Sequence, residues 1–267
     1  MRILEGNIFY GDMEKRKALL EVICFRVTRF CNARCGFCLA PPDGFQPDPA
    51  VLVHRIDWLH SQGVKRIHFC GGEPTIYPEL GRLIEHVHAI GGKTLLTTNA
   101  IAIQDELISV LRAQRTRVKV SLHGDQVHHD RILGCAAFGS ATENLRKLLA
   151  ADVPVSVQTT VVSGNEWVIE WVANYCHSVG VRTLSVLPFI PRGNGYFHRE
   201  QYELSDGDRC RLRELVRQKR KTLAGMLDIR WLDFTSRPVM VAEANGRLVL
   251  EGKTEGSDQI ICEMPSQ

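Results

Sequence analysis

Long apolar segments are absent from this sequence. No apolar run approaches the roughly 20 residues that a helix needs to span a bilayer, and residues 1–10 lack an apolar stretch followed by a small-residue cleavage site. We therefore expect a cytoplasmic protein with no membrane association. A charge bias is also absent: 33 Lys and Arg residues against 30 Asp and Glu residues give a formal net charge of +3, which points to no particular partner.

A regular disulfide framework is missing as well. The chain has 9 cysteines, an odd number. Three of them fall within residues 31–38, and the others are scattered at Cys24, Cys70, Cys135, Cys176, Cys210 and Cys262. In a reducing compartment, clustered thiols indicate metal ligands and scattered thiols indicate small buried side chains. Because 267 residues can bury a large core without staples, we expect any metal to be functional.

Internal repeats, low-complexity tracts and clear linkers are absent too, but one alternation is regular. Six segments rich in β-formers are each followed by a stretch of helical periodicity: 24–28, 67–69, 94–98, 118–122, 155–162 and 183–187. Such a βα repeat predicts parallel strands with crossover helices. Periodicity alone fits either a barrel or an open doubly wound sheet. Unusual residues follow every strand, which favours an α/β fold with a partial (β/α)6 TIM-like barrel.

The pattern changes after Gly195. A long polar, basic helix is predicted around 205–223, followed by short β-like pieces at 229–232, 239–242 and 248–250, and Asn245-Gly246 is a two-residue hairpin signal. We therefore predict three parts: an N-terminal extension over 1–20, the partial barrel over 21–200, and over 201–267 a C-terminal extension of a helix and β structure packed on the barrel.

The segment CNARCGFC places Cys31, Cys35 and Cys38 on a loop directly after the first strand. A structural zinc site normally has four protein ligands, whereas a four-iron cluster held by three thiolates leaves one iron open to a substrate or cofactor. A zinc knuckle completed by Cys24, Cys70 or a histidine is the alternative at this point.

The segment GGEP, residues 71–74, follows the second strand. Its two glycines let the backbone come close to a ligand, and Glu73 supplies a carboxylate that can pair with an ammonium group. Pro74 suits the first position of a helix. An ordinary strand-to-helix turn explains the same residues.

With these motifs the chain resembles the radical S-adenosylmethionine superfamily, whose loop pattern Cys-x-x-x-Cys-x-aromatic-Cys is matched by Cys31, Cys35, Phe37 and Cys38. The resemblance covers roughly residues 25–195. It includes GGEP, Thr98-Asn99 and the stretch SLHGDQVHHDRILG at 121–134. That stretch is similar to enzymes that mature peptides, pyrroloquinoline quinone and molybdopterin.

The resemblance implies a [4Fe-4S] cluster on the three cysteines and S-adenosylmethionine bound to its open iron. Reductive cleavage would give a 5'-deoxyadenosyl radical that abstracts hydrogen from a small-molecule or peptide substrate in a biosynthetic pathway, with a flavodoxin- or ferredoxin-type electron donor. The reaction outcome stays open. Cofactor contacts are carried over to Phe37, Gly71, Gly72, Glu73, Pro74, Asn99, Ser121, Gln158, Val162 and Arg192. Arg192 could pair with the methionine carboxylate; the last four and Asn99 could equally be polar or packing residues of the barrel.

Two substitutions and the small number of late cysteines depart from the family pattern, and Cys135 needs an interpretation of its own. His123 stands where aspartate is usual and Ala100 where glycine is common. His123 could act as a proton donor or base, or be structural. Cys135 could return hydrogen to a substrate radical, which would make the enzyme an epimerase, or simply pack. Only Cys210 and Cys262 follow Gly195, so we expect no auxiliary clusters.

A basic run over 209–221 carries seven Lys and Arg side chains with Glu214 as its one acid. No aromatic residues are interleaved for base stacking, so a solvated outer face is favoured and nucleic acid is an unexpected partner. Two alternatives to the first hypothesis are a radical enzyme that acts on RNA and a structural zinc module that binds RNA.

Overall fold

The computed structural model describes residues 20–234 and 238–266. The predicted N-terminal extension therefore lies, apart from Leu20, outside the described residues. In the described part there are ten strands: β1 (Val22–Arg26), β2 (Arg66–Cys70), β3 (Lys93–Thr98), β4 (Arg117–Ser121), β5 (Val155–Val161), β6 (Thr183–Pro188), β7 (Asp228–Trp231), β8 (Val239–Ala242), β9 (Arg247–Glu251) and β10 (Gln259–Glu263).

Nine α-helical segments connect these strands in the described part of the chain: α1 (Pro49–Ser61), α2 (Leu80–Ala89), α3 (Asp105–Ala113), α4 (Gln126–Leu133), α5 (Phe138–Ala150), α6 (Trp167–Ser178), α7 (Asn194–Phe197), α8 (Arg199–Tyr202) and α9 (Asp206–Thr222). Short 3-10 turns lie at Pro74–Ile76 and Glu255–Ser257. The predicted helix at 205–223 is α9, which begins with a capping box between Ser205 and Asp208.

All strands belong to one sheet in the order β10-β9-β8-β1-β2-β3-β4-β5-β6-β7. Strands β1 to β7 pair in parallel with their chain neighbours, and β8 also pairs parallel to β1. The six predicted strands are β1 to β6, so the α/β partial barrel is confirmed. The Asn245-Gly246 hairpin is confirmed between β8 and β9, where Gly246 has a φ of 104°.

The C-terminal segment does more than pack on the barrel. Its first strand, β7, extends one edge of the sheet beyond β6, and its last three strands extend the other edge beyond β1. The boundary at residue 200 stays a prediction, but the strands β7 to β10 belong to the same sheet as the predicted barrel. The sequence did not predict β10, which pairs antiparallel with β9.

The sheet has one apolar face and one polar face. Successive side chains of a strand point to opposite faces, and Ile23, Phe25, Phe69, Val120 and Val157 are fully buried on the face covered by helices. The opposite face, called here the inner face, carries mainly polar residues, namely Cys24, His68, Thr97, Lys119, Ser121, Ser156 and Gln158, together with Leu95 beside His68. The interior of a filled TIM barrel is packed with branched apolar side chains, so this polar inner face is suited to a polar ligand.

The sheet is curved around its inner face. Lys119 on β4 interacts electrostatically with Cys24 on β1 and with Arg230 on β7, each three strands away. Neighbouring strands are about 4.8 Å apart, so three strand spacings would put these groups out of range in a flat sheet. Curvature brings the inner-face residues of β1, β4 and β7 towards one another.

In the part of the chain that the structure describes, no helix has the length and apolar character needed to cross a membrane.

Candidate active site

The loop after β1 carries the three clustered cysteines at the carboxyl end of the sheet. Backbone hydrogen bonds hold this loop to its neighbours. Gly72 and Glu73 donate to the carbonyls of Thr28 and Phe30, each at 2.8 Å, and Arg34 donates to the carbonyl of Leu133 at 2.8 Å. The loop is therefore fixed to the turn after β2 and to the end of α4.

The three thiols fit a cluster bound through thiolates. Burial raises the pKa of Cys31 to about 11 and also raises the pKa of Cys35 and Cys38, and the neighbouring thiols raise the first two further. Three thiolates so close together need positive charge, which an iron-sulfur cluster supplies. The amide of Ala33 donates to Cys31 Sγ at 3.4 Å, the type of hydrogen bond to sulfur that tunes such clusters.

The alternative of a zinc knuckle has no ligand set in the structure. Zinc needs four ligands around one ion, and among residues 20–234 and 238–266 no group of three or more His, Cys, Asp or Glu side chains converges in this way. A four-iron cluster does not need its ligands to meet at a single ion, because each thiolate binds a different iron atom.

Gly71 and Gly72 are required by the cysteine loop itself. A Cβ atom on Gly71 would lie 2.5 Å from the carbonyl oxygen of Thr28, and one on Gly72 would lie 1.9 Å from the carbonyl oxygen of Phe30. The sequence predicted a close approach of this backbone to a ligand. The structure shows a close approach to the loop that carries the cysteines, and Pro74 begins a 3-10 turn at this point.

Glu73 is buried and connects the turn after β2 to the end of β3. Its Oε1 accepts from the Thr75 amide at 3.0 Å and from the hydroxyls of Thr75 and Thr98 at 2.7 Å, and Oε2 accepts from the Asn99 amide at 2.8 Å. Burial raises the pKa of Glu73, and these hydrogen bonds partly offset the increase. Oε2 keeps a free acceptor position, since a carboxylate oxygen can accept two hydrogen bonds.

Asn99 joins the cysteine loop to β3. Its Nδ2 donates to Asn32 Oδ1 at 2.7 Å, and its Oδ1 accepts from the Ile101 amide at 3.0 Å. Asn32, which lies between the cysteine ligands, is a residue that sequence reasoning missed. The next residue after Asn99, Ala100, has a φ of 57°, which explains why the resembling families prefer glycine there.

His123 is a buried histidine that connects β4 to β5. Its Nδ1 accepts from the Thr160 amide at 3.1 Å, its own amide donates to His129 Nδ1 at 3.1 Å, and its ring meets Phe37 edge-on at 5.1 Å between centroids. Burial, with smaller contributions from His129 and His128, holds the pKa of His123 well below its usual range. His123 is therefore neutral near pH 7, which argues against a role as a proton donor, and its ring positions Phe37; a catalytic role of His123 stays a prediction.

Ser121, Gln158 and Val162 lie at the same end of the sheet. Ser121 and Gln158 are register partners on the inner face of β4 and β5. Val162 is buried in a small apolar cluster with Leu133 and Phe189, against which Cys31, Cys35 and Phe37 pack. All three predicted cofactor residues thus lie where the strands end towards the cysteine loop.

Cys135 lies beside the cysteine loop. Its Sγ donates to the carbonyl of Asn32 at 3.7 Å. A negative charge on the Cys135 thiolate would raise the pKa of Cys31 and Cys35. The helix that precedes it, α4, ends at Gly134 in a left-handed conformation packed against Arg34. Sequence reasoning did not place Cys135 next to the predicted cluster, because more than 90 residues separate the two segments.

Arg192 is engaged away from the predicted cofactor contacts. Its Nη1 and Nη2 donate to both carboxylate oxygens of Asp258 at 2.7 and 2.8 Å, and Nη2 lies 3.3 Å from Glu251. Hydrogen bonding to Asp258 raises the pKa of Arg192. Through this bidentate pair Arg192 links the loop after β6 to the C-terminal strands, while its buried Nε has no hydrogen-bond partner among the described residues. A contact of Arg192 with the cofactor stays a prediction.

A cluster of charged side chains that the sequence did not predict lies around the pair of Arg192 and Asp258. Arg26 pairs with Glu243 and, at 2.9 Å, with Glu251, and Arg29 lies 3.4 Å from Glu243. Of these residues, Arg29, Glu243 and Glu251 border a cavity of about 560 Å³ that is lined also by Asp43, Phe45 and Asp258. The cavity opens between the cysteine loop and the C-terminal strands.

The predicted basic run lies on α9 and is mostly paired within the protein. Four of its side chains pair with carboxylates and two donate to backbone carbonyls: Arg211 with Asp208, Arg213 with Asp233, Arg217 with Glu214, Lys219 with Glu170, Arg209 with Phe189 and Arg220 with Ile229. These contacts favour the outer-face interpretation over an RNA site. The expectation against nucleic acid stays a prediction.

Below Ser121 and Gln158, the inner face carries a contiguous set of polar side chains that sequence reasoning also missed. We call Cys24, His68, Thr97, Lys119 and Ser156 the inner polar row. Cys24 Sγ lies 3.8 Å from His68 Nδ1, and His68 Nε2 lies 2.7 Å from Thr97 Oγ1. Lys119 is the register partner of both Thr97 and Ser156. Strict alternation with buried apolar residues was the signal that could have predicted this row.

Comparison with known proteins agrees with this geometry. The model of the Radical SAM superfamily matches residues 25–183, more than half of the chain. The chain therefore belongs to the radical SAM superfamily, enzymes that use a [4Fe-4S] cluster and S-adenosylmethionine. This family membership replaces the alternative interpretation of the cysteine loop, a structural zinc module that binds RNA.

Similar proteins of known function include a GTP 3',8-cyclase of Synechococcus elongatus, 31% identical over 140 residues that make up 48% of this chain and 42% of that protein. An AdoMet-dependent heme synthase of Methanosarcina barkeri is 27% identical over 195 residues, 70% of this chain and 55% of that protein. The chain thus spans about half the length of these curated relatives.

Two solved structures share the fold. Streptococcus suis SuiB bound to its precursor peptide SuiA has a TM-score of 0.78 at 17% identity and covers 91% of this chain and 62% of that one. The enzyme anSMEcpe with bound AdoMet and a peptide has a TM-score of 0.69 at 15% identity, covering 87% and 74%. At these identities the likeness concerns the fold alone.

Proposed function

We propose that this protein binds one [4Fe-4S] cluster through Cys31, Cys35 and Cys38 and uses it to cleave S-adenosylmethionine reductively. When bound, these cofactors supply a 5'-deoxyadenosyl radical that abstracts hydrogen from a substrate. The observation that carries the proposal is the loop of three thiols, held by backbone hydrogen bonds to the GGEP turn and to α4.

The chain's own residues orient the cofactor. Phe37, held edge-on by His123, lies on the loop itself, and Glu73 Oε2 has a free acceptor position for an ammonium group. Asn99, Ser121, Gln158 and Val162 complete the proposed contacts at the ends of β3, β4 and β5. The apolar cluster around Leu133 and Phe189 keeps water from one side of the loop, which protects a radical reaction.

We propose a biosynthetic substrate that is a small molecule or a peptide. The GTP 3',8-cyclase and the heme synthase support a small molecule, and the peptide-bound neighbours share only the fold. The polar inner face favours the small molecule, because it presents several hydrogen-bonding groups within the curved sheet. A flavodoxin- or ferredoxin-type protein is proposed as the electron donor.

The test is anaerobic reconstitution with iron and sulfide, followed by dithionite and S-adenosylmethionine. We expect a brown protein that forms 5'-deoxyadenosine, and loss of both properties when Cys31, Cys35 and Cys38 are replaced together by alanine. Cys210→Ala, which changes an exposed cysteine outside the site, is the matched control and should keep both. A triple variant that still binds iron and sulfide and cleaves the cofactor would refute the proposal.

A further inference from the structure

The inner polar row contains one lysine, Lys119, which forms no ion pair with another described residue. Lys119 is partly buried on the inner face of β4, and among the described residues its side chain has no hydrogen-bonding or ion-pairing partner. The groups that influence it electrostatically are the Cys24 thiol and the guanidinium of Arg230. Burial lowers the pKa of Lys119, as expected for an ammonium group that has lost water and gained no anion.

The register partners of Lys119 in the row carry hydroxyl groups and no charge. The more distant Cys24 thiol, whose pKa is lowered well below its usual value chiefly by a hydrogen bond with Cys70, acts on Lys119 only through space. Thr97 and Ser156 flank it on β3 and β5, and His68 contacts Thr97 at 2.7 Å. An unpaired charge inside a protein costs stability unless a ligand pairs with it. Hydroxyl and imidazole groups next to a cation form the usual surroundings of a bound carboxylate or phosphate.

The position of the inner polar row along β4 and β5 places it next to the proposed cofactor site. Ser121 and Gln158 follow Lys119 and Ser156 by two residues on the same faces of β4 and β5. Two residues along a strand span about 6.6 Å. A group held by the row would therefore lie one layer of side chains below the residues proposed to contact S-adenosylmethionine, within reach of a radical formed there.

We propose that the inner polar row binds an anionic group of the substrate, a carboxylate or a phosphate, with Lys119 as its cationic partner. This inference rests on the proposed function for the identity of the substrate site, and it adds the chemical class of the substrate. Lysine suits the role because its ammonium group is a compact point charge that can bind either anion without requiring a fixed geometry.

The test measures anion binding by calorimetry with the purified chain of 267 residues. Pyrophosphate represents the phosphate class, succinate represents the carboxylate class, and sodium chloride at matched ionic strength serves as the blank. We expect the wild type to bind one of the two, which identifies the source of the anion. Lys119→Gln should weaken that binding by about tenfold or more, the usual effect of losing a hydrogen bond to a charged group, and Lys119→Arg should restore part of it.

The matched control is Lys65→Gln, which removes the same charge from an exposed position and should leave the Kd unchanged. Thermal unfolding without added anions checks the fold: Lys119→Gln should melt no lower than the wild type, because it removes a desolvated charge. Equal Kd values for the wild type and Lys119→Gln, or no binding of either anion by the wild type, would overturn the proposal. Formation of 5'-deoxyadenosine by the wild type is measured in parallel, so a failure of the radical chemistry is recognised separately.

Discussion

At the scale of single residues, Ala100 shows how the structure explains a departure from the family pattern. It follows Asn99 in the left-handed region, with a φ of 57°, it is fully buried, and its carbonyl accepts from Asn144 at 2.9 Å. The left-handed conformation costs a residue with a Cβ atom about 1–2 kcal/mol. The turn after β3 therefore carries strain at the position where glycine is common in the family pattern that the sequence resembles.

Ala100→Gly is expected to raise the free energy of unfolding by about 0.5–1 kcal/mol, since relief of the strained φ outweighs the larger backbone entropy of glycine. Urea unfolding followed by circular dichroism measures the change. The matched control is Ala173→Gly within α6, where glycine should lower stability by about 1 kcal/mol. If both variants lose stability equally, the strain argument is wrong.

At the scale of elements, the cysteine loop depends on the turn after β2. Gly72 lies so close to the carbonyl oxygen of Phe30 that a Cβ atom would be 1.9 Å away, and the adjacent Glu73 amide donates to that same oxygen. The two loops therefore form one unit, although Cys31 and Gly72 are 41 positions apart in the sequence.

Gly72→Ala should displace the cysteine loop, lower the unfolding free energy by about 1–3 kcal/mol as overpacking does, and reduce the iron bound per chain after reconstitution. Iron and sulfide analysis together with urea unfolding tests both effects. Gly139→Ala in α5, where a Cβ atom meets nothing within 4 Å, is the control and should stabilise the protein slightly. Full iron loading of Gly72→Ala would contradict the dependence of one loop on the other.

At the scale of the whole molecule, two buried histidines connect stability to pH. Burial lowers the pKa of His129 to about 4 and holds the pKa of His123 well below its usual value. In the unfolded chain both titrate near 6.5. The folded state therefore takes up these protons less readily, so their contribution to stability is complete above pH ~6.5 and is lost as the pH falls towards 4.

Between pH 7.5 and 5.5 we expect the unfolding free energy to fall by about 1–1.5 kcal/mol for each of the two histidines. Urea unfolding at the two pH values measures this loss. His129→Gln keeps an acceptor for the His123 amide and should remove the part of the loss that comes from His129, whereas His60→Gln at an exposed position should remove much less. An unchanged pH dependence in His129→Gln would show that His129 is not responsible.

Local sequence patterns predicted much of the molecule. The strands β1 to β6, the helix α9, the hairpin at Asn245-Gly246 and the position of the cysteine loop all follow from periodicity and turn residues, since these depend on neighbours along the chain. The edge strand β10 and the placement of β7 and β8 on opposite edges of one sheet were not predicted, because strand pairing joins residues far apart in sequence.

The amino-acid sequence by itself determined the chemistry available to this protein: three thiols at C-x3-C-x2-C spacing and a GGEP turn after the next strand, both set by residues close together in the chain. Tertiary structure alone decided how distant residues were used. Packing paired Arg192 with Asp258 and brought Cys135 to the cysteine loop. Strand register put Lys119, which forms no ion pair with another described residue, beside Thr97 and Ser156. The physical reason is that a charge or a thiol acquires its partners from packing and strand register, which bring together residues that no local pattern relates.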